Sequence, residues 1–425
     1  MRVTVRQVLR TYFTLTLLST FASSLIWGIN TLFLLDAGMS VTRAFAANAF
    51  FTAGEVLFEV PTGVVADTLG RRMSYLLGSA TLFVSTLLYL WMWRVRGPFW
   101  AWAAVSMLLG LGFTFFSGAT EAWLVDALKF AKYSGTLESA FARGQVASGI
   151  AMLTGTLAGG AIAQATNLGV PYLLRAGMLA LTFLVALVSM RDVGFTPRKG
   201  LSVWERTRSV VRSSLDQGLR NPPVRWLMLS AVFSGGVGIY AFYAMQPYLL
   251  ELYGRRRSYA VVGIGAAVVA GGQIVGGFLA PRVGKAFRRR TSFLLFATVT
   301  SGAALALAGM TSHVWVALTV LGAWAIVFAA AIPIREAFIN GLIPSDQRAT
   351  VLSSDNLLSS AGGVVMQPAL GRVADIWGYA TSYLVAAGIE LMALPLLLLA
   401  RREKARPDLI EGSAASISSR PRHCR

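Results

Sequence analysis

Twelve apolar segments, each long enough to cross a lipid bilayer, constrain the fold of this chain more than any other feature. A transmembrane helix needs about 20 mostly apolar residues at 1.5 Å per residue. Of the 425 residues 55% are hydrophobic and only 13% are charged, whereas soluble domains are about a quarter charged. The predicted spans are 12–35, 42–66, 73–93, 99–124, 142–165, 171–190, 224–248, 259–281, 291–310, 313–338, 349–372 and 380–400.

Internal repeats predict an all-α membrane protein whose twelve transmembrane helices form two pseudo-symmetric six-helix halves. Motifs of the first half recur in the second at a nearly constant spacing: Thr120–Trp123 as Arg335–Phe338, Tyr172-Leu173 as Tyr383-Leu384, and Gly63–Arg71 as Gly277–Lys285. We therefore expect an N-terminal half over 1–190, a cytoplasmic linker over 191–223, a C-terminal half over 224–400 and a disordered cytoplasmic tail over 401–425.

The basic residues predict the orientation of the chain. Its 38 Lys and Arg residues give a formal net charge of +19 and lie mostly in connectors and tails, where lipid headgroups explain them better than a nucleic acid does. We expect a monomeric multi-pass protein of the bacterial inner (plasma) membrane with both termini in the cytoplasm. The basic residues then left on the outer side are Arg43, Arg94, Arg96, Arg175, Arg255, Arg256, Arg257 and Arg372.

Two carboxylates, Glu55 and Glu59, lie one helical turn apart inside the second apolar segment. At 1.5 Å per residue, Glu59 lies about 12 Å and Glu55 about 18 Å from Asp67, which we expect at the membrane surface. An ionisable side chain inside a span costs about 2.5–3.5 kcal/mol, so it needs a partner, a wet cavity or a function. Both are candidates for proton coupling, and hydrogen bonds that only fix helix packing are the alternative.

Glu121 in span 4 and Glu336 in span 10 occupy corresponding positions of the two halves. Both are candidates for proton coupling or for binding a cationic substrate. Arg335, next to Glu336, is a candidate cavity residue that could neutralise it. A salt bridge that closes the cytoplasmic side is the alternative interpretation.

The loop Gly63-x-x-x-Asp67-x-x-Gly70-Arg71-Arg72 after span 2, in a chain of two six-span halves, resembles the major facilitator superfamily over residues 10–400. The resemblance implies a central cavity that opens alternately to each side, lined by spans 1, 4, 7 and 10. It also implies that the residues of this loop act in gating. The predicted gating residues are Gly63, Asp67, Gly70, Arg71 and Arg72, with Asp126 and Arg143 expected at the same surface.

Similarity to the drug:proton antiporters of this superfamily is looser. Their fifth-span pattern Gly-Pro-x-x-Gly-Gly is present as Gly155–Gly160, with Thr156 in place of proline, and span 4 contains no Arg or Lys. The remaining cavity candidates lie in spans 1 and 7: Asn30, Tyr240, Tyr243 and Gln246. The resemblance places span 12 toward lipid, so Glu390 at its centre either turns inward to a partner or marks a wrong span boundary.

These observations predict a secondary active transporter that works by alternating access, with proton-coupled export of a small organic compound or drug as the leading hypothesis. Proton-coupled or facilitated uptake of a small metabolite is the alternative, and a non-transporting receptor or scaffold is a third. No nucleotide-binding or nucleophile–base motif indicates an enzyme. The expected partners are a small-molecule substrate, protons and lipid, without nucleic acid, cofactor or metal.

Overall fold

The structure is a computed structural model that describes residues 4–116, 118–197, 204–205, 207–208, 212, 214–254, 258–344 and 348–410. Within these residues the regular structure is helical, apart from one isolated β-bridge between Arg289 and Leu409. The α-helices whose bounds the structure describes are Val5–Trp27, Asn30–Asp36, Val41–Leu69, Arg71–Val95, Phe99–Thr114, Ala119–Phe130, Leu137–Ala165, Gly169–Ser189, Pro222–Tyr253, Tyr259–Lys285, Arg290–Met310, Val314–Leu342, Arg348–Leu391 and Ala393–Arg402.

These helices make twelve crossings, which confirms the predicted fold class. Among the described residues ten helices are long and apolar enough to span a membrane, or eleven if the bent pair at the N-terminus is one span. The last of them, Val351–Arg402, has 52 residues, more than twice the length that a bilayer core requires. It is interrupted at Gly378, where φ is 82° and ψ is 165°. Span 11 therefore ends and span 12 begins at Gly378.

Two spans that were predicted as continuous helices are interrupted. Span 1 bends by 47° between Val5–Trp27 and Asn30–Asp36. Span 4 is divided into Phe99–Thr114 and Ala119–Phe130, and Gly118 between them has a φ of 67°. Because this left-handed conformation is easily adopted only by glycine, Gly118 allows the second segment to start in a new direction.

The predicted repeat is visible in a tyrosine hydrogen bond that occurs at equivalent positions of the two halves. The hydroxyl of Tyr172 in span 6 donates to the side-chain oxygen of Asn30 in span 1 at 2.7 Å. The hydroxyl of Tyr383 in span 12 donates to the backbone oxygen of Ala241 in span 7, also at 2.7 Å. Donor and acceptor are separated by the same number of residues in both halves, so the last span of each half is tied to its first at an equivalent point.

The two halves meet along spans 2 and 11 and along spans 5 and 8. We call the end of the bundle that carries Thr4 and Ile410 the terminal face and the opposite end the distal face. Near the distal face, Gln246 of span 7 accepts from the backbone N–H of Thr31 at 2.8 Å and donates to the backbone oxygen of Trp27 at 2.9 Å. Deeper in the bundle, Gln367 donates to Thr52 at 3.2 Å.

Asp375 of span 11 joins the halves at the distal face itself. Its carboxylate accepts from the backbone N–H groups of Val41 and Thr42, at 3.0 and 2.9 Å, and from the Thr42 hydroxyl at 2.5 Å. Val41 begins span 2, so Asp375 caps the N-terminus of a helix in the other half. A carboxylate at this position is favoured by the free N–H groups and the helix dipole.

Replacing Asp375 with alanine is expected to weaken the distal contact and to populate a state that is open there. Bonds to a charged acceptor contribute about 1.5–3 kcal/mol each, so the open fraction should rise by about tenfold or more. Spin labels at the exposed positions Arg43 and Trp377, with Cys424 removed, should then report a longer distance. Asp36→Ala is the control, because Asp36 bonds to Trp93 within its own half; an unchanged distance distribution in Asp375→Ala would contradict the assignment.

The structure describes parts of the predicted linker and of the predicted tail. The predicted linker contains a short π-helix, Ser214–Leu219, while residues 198–203, 206, 209–211 and 213 lie outside the described residues. Residues 401–410 of the predicted tail are described, and they pack on the C-terminal half through the buried Asp408. The prediction for residues 411–425 and for the run Arg255–Arg257 falls outside the described residues.

Candidate functional site

A cavity of about 320 Å³ lies among spans 1–6, and Tyr243 of span 7 forms part of its wall. We call it the N-half cavity. Glu55 and Asn30, two of the residues predicted from sequence, line it. Tyr243 is the third, and it is the only member of the described lining that belongs to the other half. Of the three cavity candidates predicted in span 7, only Tyr243 lines this cavity.

Close packing of spans 2 and 4 fixes the position of Glu55. A Cβ atom on Gly54 would lie 2.6 Å from the backbone oxygen of Met107 and one on Gly110 would meet the backbone of Phe51. No side chain can be accommodated at either position unless the backbones separate. The two glycines thus let the helices touch beside Glu55, whose side chain is turned into the cavity.

A chain of hydrogen bonds forms the polar part of the cavity wall. Tyr172 donates to Asn30, and the amide nitrogen of Asn30 donates to the side-chain oxygen of Asn48 at 2.8 Å. The amide nitrogen of Asn48 is buried and has no hydrogen-bond partner in the described structure. Tyr89, which also lines the cavity, shares a hydrogen bond of 2.6 Å with Ser106.

Arg175, which was predicted on the outer side, lies inside the bundle. It lies inside span 6, Gly169–Ser189, with only 2% of its surface exposed, and it lines the N-half cavity. Its guanidinium lies over the ring of Phe113 at 5.7 Å. Its Nε and Nη2 atoms have no hydrogen-bond partner in the described structure.

The other two carboxylates predicted in the N-terminal half lie elsewhere. Glu59 is partly buried one turn from Glu55, toward the terminal face. Glu121 is exposed in the first turn of Ala119–Phe130, after the break in span 4. Of the predicted proton-coupling residues, the structure therefore brings only Glu55 into the N-half cavity.

A second cavity, of about 290 Å³, lies within the C-terminal half among spans 7, 9, 10, 11 and 12. Arg335 lines it but does not pair with Glu336 as the sequence suggested. It pairs with Asp355 of span 11 in a bidentate contact, Nε–Oδ2 at 2.9 Å and Nη2–Oδ1 at 2.6 Å. It also donates to the Ser230 hydroxyl at 3.0 Å and to the backbone oxygen of Leu227.

Two further carboxylates face this second cavity. Glu336 is exposed on its wall, whereas Glu390 is only 3% exposed. Span 12 was expected to face lipid, but the side chain of Glu390 is turned into the C-terminal half. The break at Gly378 lies close to the predicted start of span 12, so a wrong span boundary does not explain the position of Glu390. Among the described residues no three His, Cys, Asp or Glu side chains converge as metal ligands would.

The predicted gating loop is held by one ion pair and by two hydrogen bonds of Arg72. Asp67, at the end of span 2, is buried and pairs with Arg71 at 2.7 Å. The backbone N–H of Arg72 donates to Asp192 at 2.9 Å, and its guanidinium donates to the backbone oxygen of Leu187 at 2.7 Å. Burial raises the pKa of Asp192, and the hydrogen bond from Arg72 acts in the opposite direction.

Asp126 and Arg143 are not joined to this ion pair in the described structure. The backbone oxygen of Asp126 lies against Gly194, on the segment that follows span 6. Arg143 is exposed on span 5. Gly63 has open space beside it and Gly70, with a φ of 107°, forms the turn between spans 2 and 3.

Asp192 has a counterpart in the second half that the sequence comparison missed. Asp408, after span 12, accepts from the backbone N–H and the hydroxyl of Thr291 at 2.8 and 2.9 Å. Arg72 and Thr291 each lie near the start of the third span of their half. The segment after the last span thus caps the third span in both halves.

Asp408→Ala is expected to lower the unfolding temperature of the purified protein, because removal of an N-cap acceptor costs about 1 kcal/mol. Asp408→Asn keeps an acceptor oxygen and should lose less stability. Thermal unfolding followed by tryptophan fluorescence measures both variants. Equal stability of Asp408→Ala and the unmodified protein would contradict the capping role.

The two remaining cavity candidates, Tyr240 and Gln246, are buried in contacts between helices. Tyr240 shares a hydrogen bond with Ser382 of span 12. Gln246 joins spans 7 and 1, as described above. Both positions suit residues that pack between helices with their polar groups satisfied.

Sequence reasoning missed Arg175 and Asp355 as members of the cavities. The signal for Arg175 was present, since it falls within the predicted span 171–190 and an ionisable residue in a span calls for a function. Asp355 also falls within a predicted span, 349–372. Its pairing with Arg335 depends on how spans 10 and 11 face each other, which no local pattern indicates.

Twelve membrane-spanning helices in two similar halves, with ionisable side chains turned into internal cavities, define a polytopic membrane transporter. The sequence model of the Major Facilitator Superfamily matches residues 12–332 and 285–422. The chain therefore belongs to the Major Facilitator Superfamily, a family of secondary transporters and not of enzymes.

Solved structures of transporters share the fold. The nucleoside transporter NupG has 13% identity and a TM-score of 0.76, with 93% of this chain and 99% of that chain covered. A POT family transporter in complex with a thioalcohol conjugated peptide has 15% identity and a TM-score of 0.72, with 93% and 96% covered. A bacterial homolog to the human lysosomal transporter Spinster, inward-facing and unoccupied, has 16% identity and a TM-score of 0.72, with 97% of this chain and 100% of that chain covered. No curated protein matches the sequence.

Proposed function

We propose that this transporter couples the movement of a small organic compound to that of protons, with the N-half cavity as the solute site and Glu55 as the proton carrier. The observation that carries the proposal is the position of Glu55 on the wall of a cavity of small-molecule size. Tyr243 closes part of that wall from the other half. Movement of one half against the other would therefore change both access to the solute and the surroundings of Glu55.

The orientation and the gate belong to the same proposal. The distribution of basic residues supports cytoplasmic termini in a bacterial inner membrane, so the terminal face would be cytoplasmic. The pair Asp67–Arg71 lies at that face between spans 2 and 3. We assign it, with Gly63, Gly70, Arg72, Asp126 and Arg143, to the gate. The protein acts as a monomer in this proposal.

Export by proton antiport requires a solute that competes with the proton for Glu55, such as a cationic or neutral compound. Uptake by proton symport is the second candidate. It requires a solute that binds better when Glu55 carries a proton, and the buried Arg175 beside the cavity favours it. The direction of transport thus depends on the charge of the solute.

The test uses the purified chain in proteoliposomes that enclose a pH-sensitive dye. The solute panel contains nucleosides and dipeptides, suggested by the names of similar transporters, together with small aromatic anions, cations and neutral compounds. Addition of at least one class of solute is expected to move protons across the membrane. Protons should move inward with the solute if transport is symport, and outward, opposite to the solute, if it is antiport. Solute movement without proton movement throughout the panel would contradict the proposal.

A further inference from the structure

An unpaired cation lies against the N-half cavity. Arg175 is buried inside span 6, yet its Nε and Nη2 atoms find no acceptor in the described structure. A buried guanidinium without an acceptor is strongly unfavourable unless a ligand supplies one. Glu55 lines the same cavity, but no ion pair joins it to Arg175 in the described structure.

A second unpaired donor lies in the same cavity. The amide nitrogen of Asn48 is buried without a partner, while the amide oxygen is held by Asn30. Asn30 is itself held by Tyr172, so the orientation of the Asn48 amide is fixed by a chain of hydrogen bonds. Unpaired N–H donors from spans 2 and 6 therefore lie beside the cavity, and they suit a group with acceptors only, such as a carboxylate.

The remaining walls are aromatic. Trp27, Phe51, Tyr89, Phe113 and Tyr243 line the cavity, and Phe113 lies under the Arg175 guanidinium. Flat rings pack favourably against such walls. A ligand with a planar apolar body and one anionic group fits both parts of the cavity.

The internal repeat shows that Arg175 and Glu55 have no charged counterparts in the second half. At the spacing that relates Tyr172 to Tyr383, Arg175 corresponds to Ala386, and at the spacing that relates Gly63 to Gly277, Glu55 corresponds to Val269. Both counterparts are buried apolar residues. The common fold therefore does not require either charge.

We propose that the N-half cavity binds a small aromatic anion whose carboxylate group contacts Arg175. This anion is transported in the same direction as the proton. This proposal rests on the proposed function and specifies the solute. With Glu55 ionised, the charges of Glu55 and Arg175 cancel; with Glu55 protonated, the cavity is positive. The anion therefore binds better to the protonated protein, and by linkage the proton binds better when the anion is present.

The experiment compares benzoate, benzamide and benzylamine, which have similar ring sizes and differ in charge. Binding to the purified chain is measured by calorimetry at a pH where benzoate is ionised. Benzoate is expected to bind about tenfold or more tightly than the other two, and Arg175→Gln should lose that preference. Arg175→Lys keeps the charge and should show intermediate affinity, which separates loss of the site from loss of folding.

Arg43→Gln removes an exposed arginine and serves as the matched control, with unchanged affinity expected. Benzylamine binding as tightly as benzoate, unchanged benzoate affinity in Arg175→Gln, or binding of none of the three would overturn the inference. If the inference fails in one of these ways, proton movement driven by benzylamine or by another solute that is not an aromatic anion would still leave the proposed function standing. Absence of proton movement with every solute would contradict the proposed function itself.

Discussion

Replacing Glu55 with glutamine is expected to abolish proton-driven accumulation of solute while leaving solute–solute exchange intact. Glutamine has nearly the same shape but cannot carry a proton. A pH difference of one unit corresponds to about 1.4 kcal/mol, which sustains about tenfold accumulation at one proton per solute. In Glu55→Gln the solute should only equilibrate, because movement of the loaded protein no longer depends on the gradient.

Glu59→Gln provides the matched comparison. It removes the other carboxylate of the same helix, one turn away, and leaves the lining of the N-half cavity unchanged. Accumulation and exchange of labelled solute in proteoliposomes are measured for both variants. Full accumulation in Glu55→Gln, together with its loss in Glu59→Gln, would show that the proton carrier is Glu59 and not Glu55.

Replacing Asp355 with alanine is expected to cause the largest loss of stability among the single substitutions considered. The pair Arg335–Asp355 joins spans 10 and 11, with side-chain exposures of 15% and 8%. Removal of one partner leaves the arginine charge buried, which costs about 3–5 kcal/mol. The unfolding temperature of the purified protein in detergent should fall accordingly.

The double variant Arg335→Met with Asp355→Leu tests the cause. It removes both charges and fills similar volumes, so it should recover much of the stability lost in Asp355→Ala. Arg43→Met makes the same change of side chain at an exposed site and should unfold like the unmodified protein. A double variant less stable than Asp355→Ala would contradict the interpretation of Asp355 as the partner that neutralises Arg335.

The fold could be predicted from the sequence because the bilayer imposes a length on every apolar segment. Spans are bent after Trp27 and interrupted at Gly118 and Gly378, and only the break at Gly378 coincided with a predicted boundary. Hydropathy is insensitive to such breaks, because a bent helix remains as apolar as a straight one. The repeats predicted the two halves, and the paired contacts of Tyr172 and Tyr383 follow from them.

The site could be predicted only in part. Glu55 and Tyr243 were found from their types and spans, and both line the N-half cavity. Counting basic residues by side assigned Arg175 to the outer side, although it lies within the predicted span 171–190. The inward rotation of Glu390 and the pairing of Arg335 depend on the facing of neighbouring helices, which is fixed by packing over the whole half.

The most direct test of the account is the number of protons that the purified protein takes up when it binds benzoate. Calorimetric titrations at one pH, in two buffers with different ionisation enthalpies, give this number. Proton uptake approaching about one per bound solute is predicted for the unmodified protein where Glu55 is ionised, and none is predicted for Glu55→Gln. Proton release on binding, or the same uptake in Glu55→Gln, would contradict the claim that Glu55 and Arg175 bind proton and solute together.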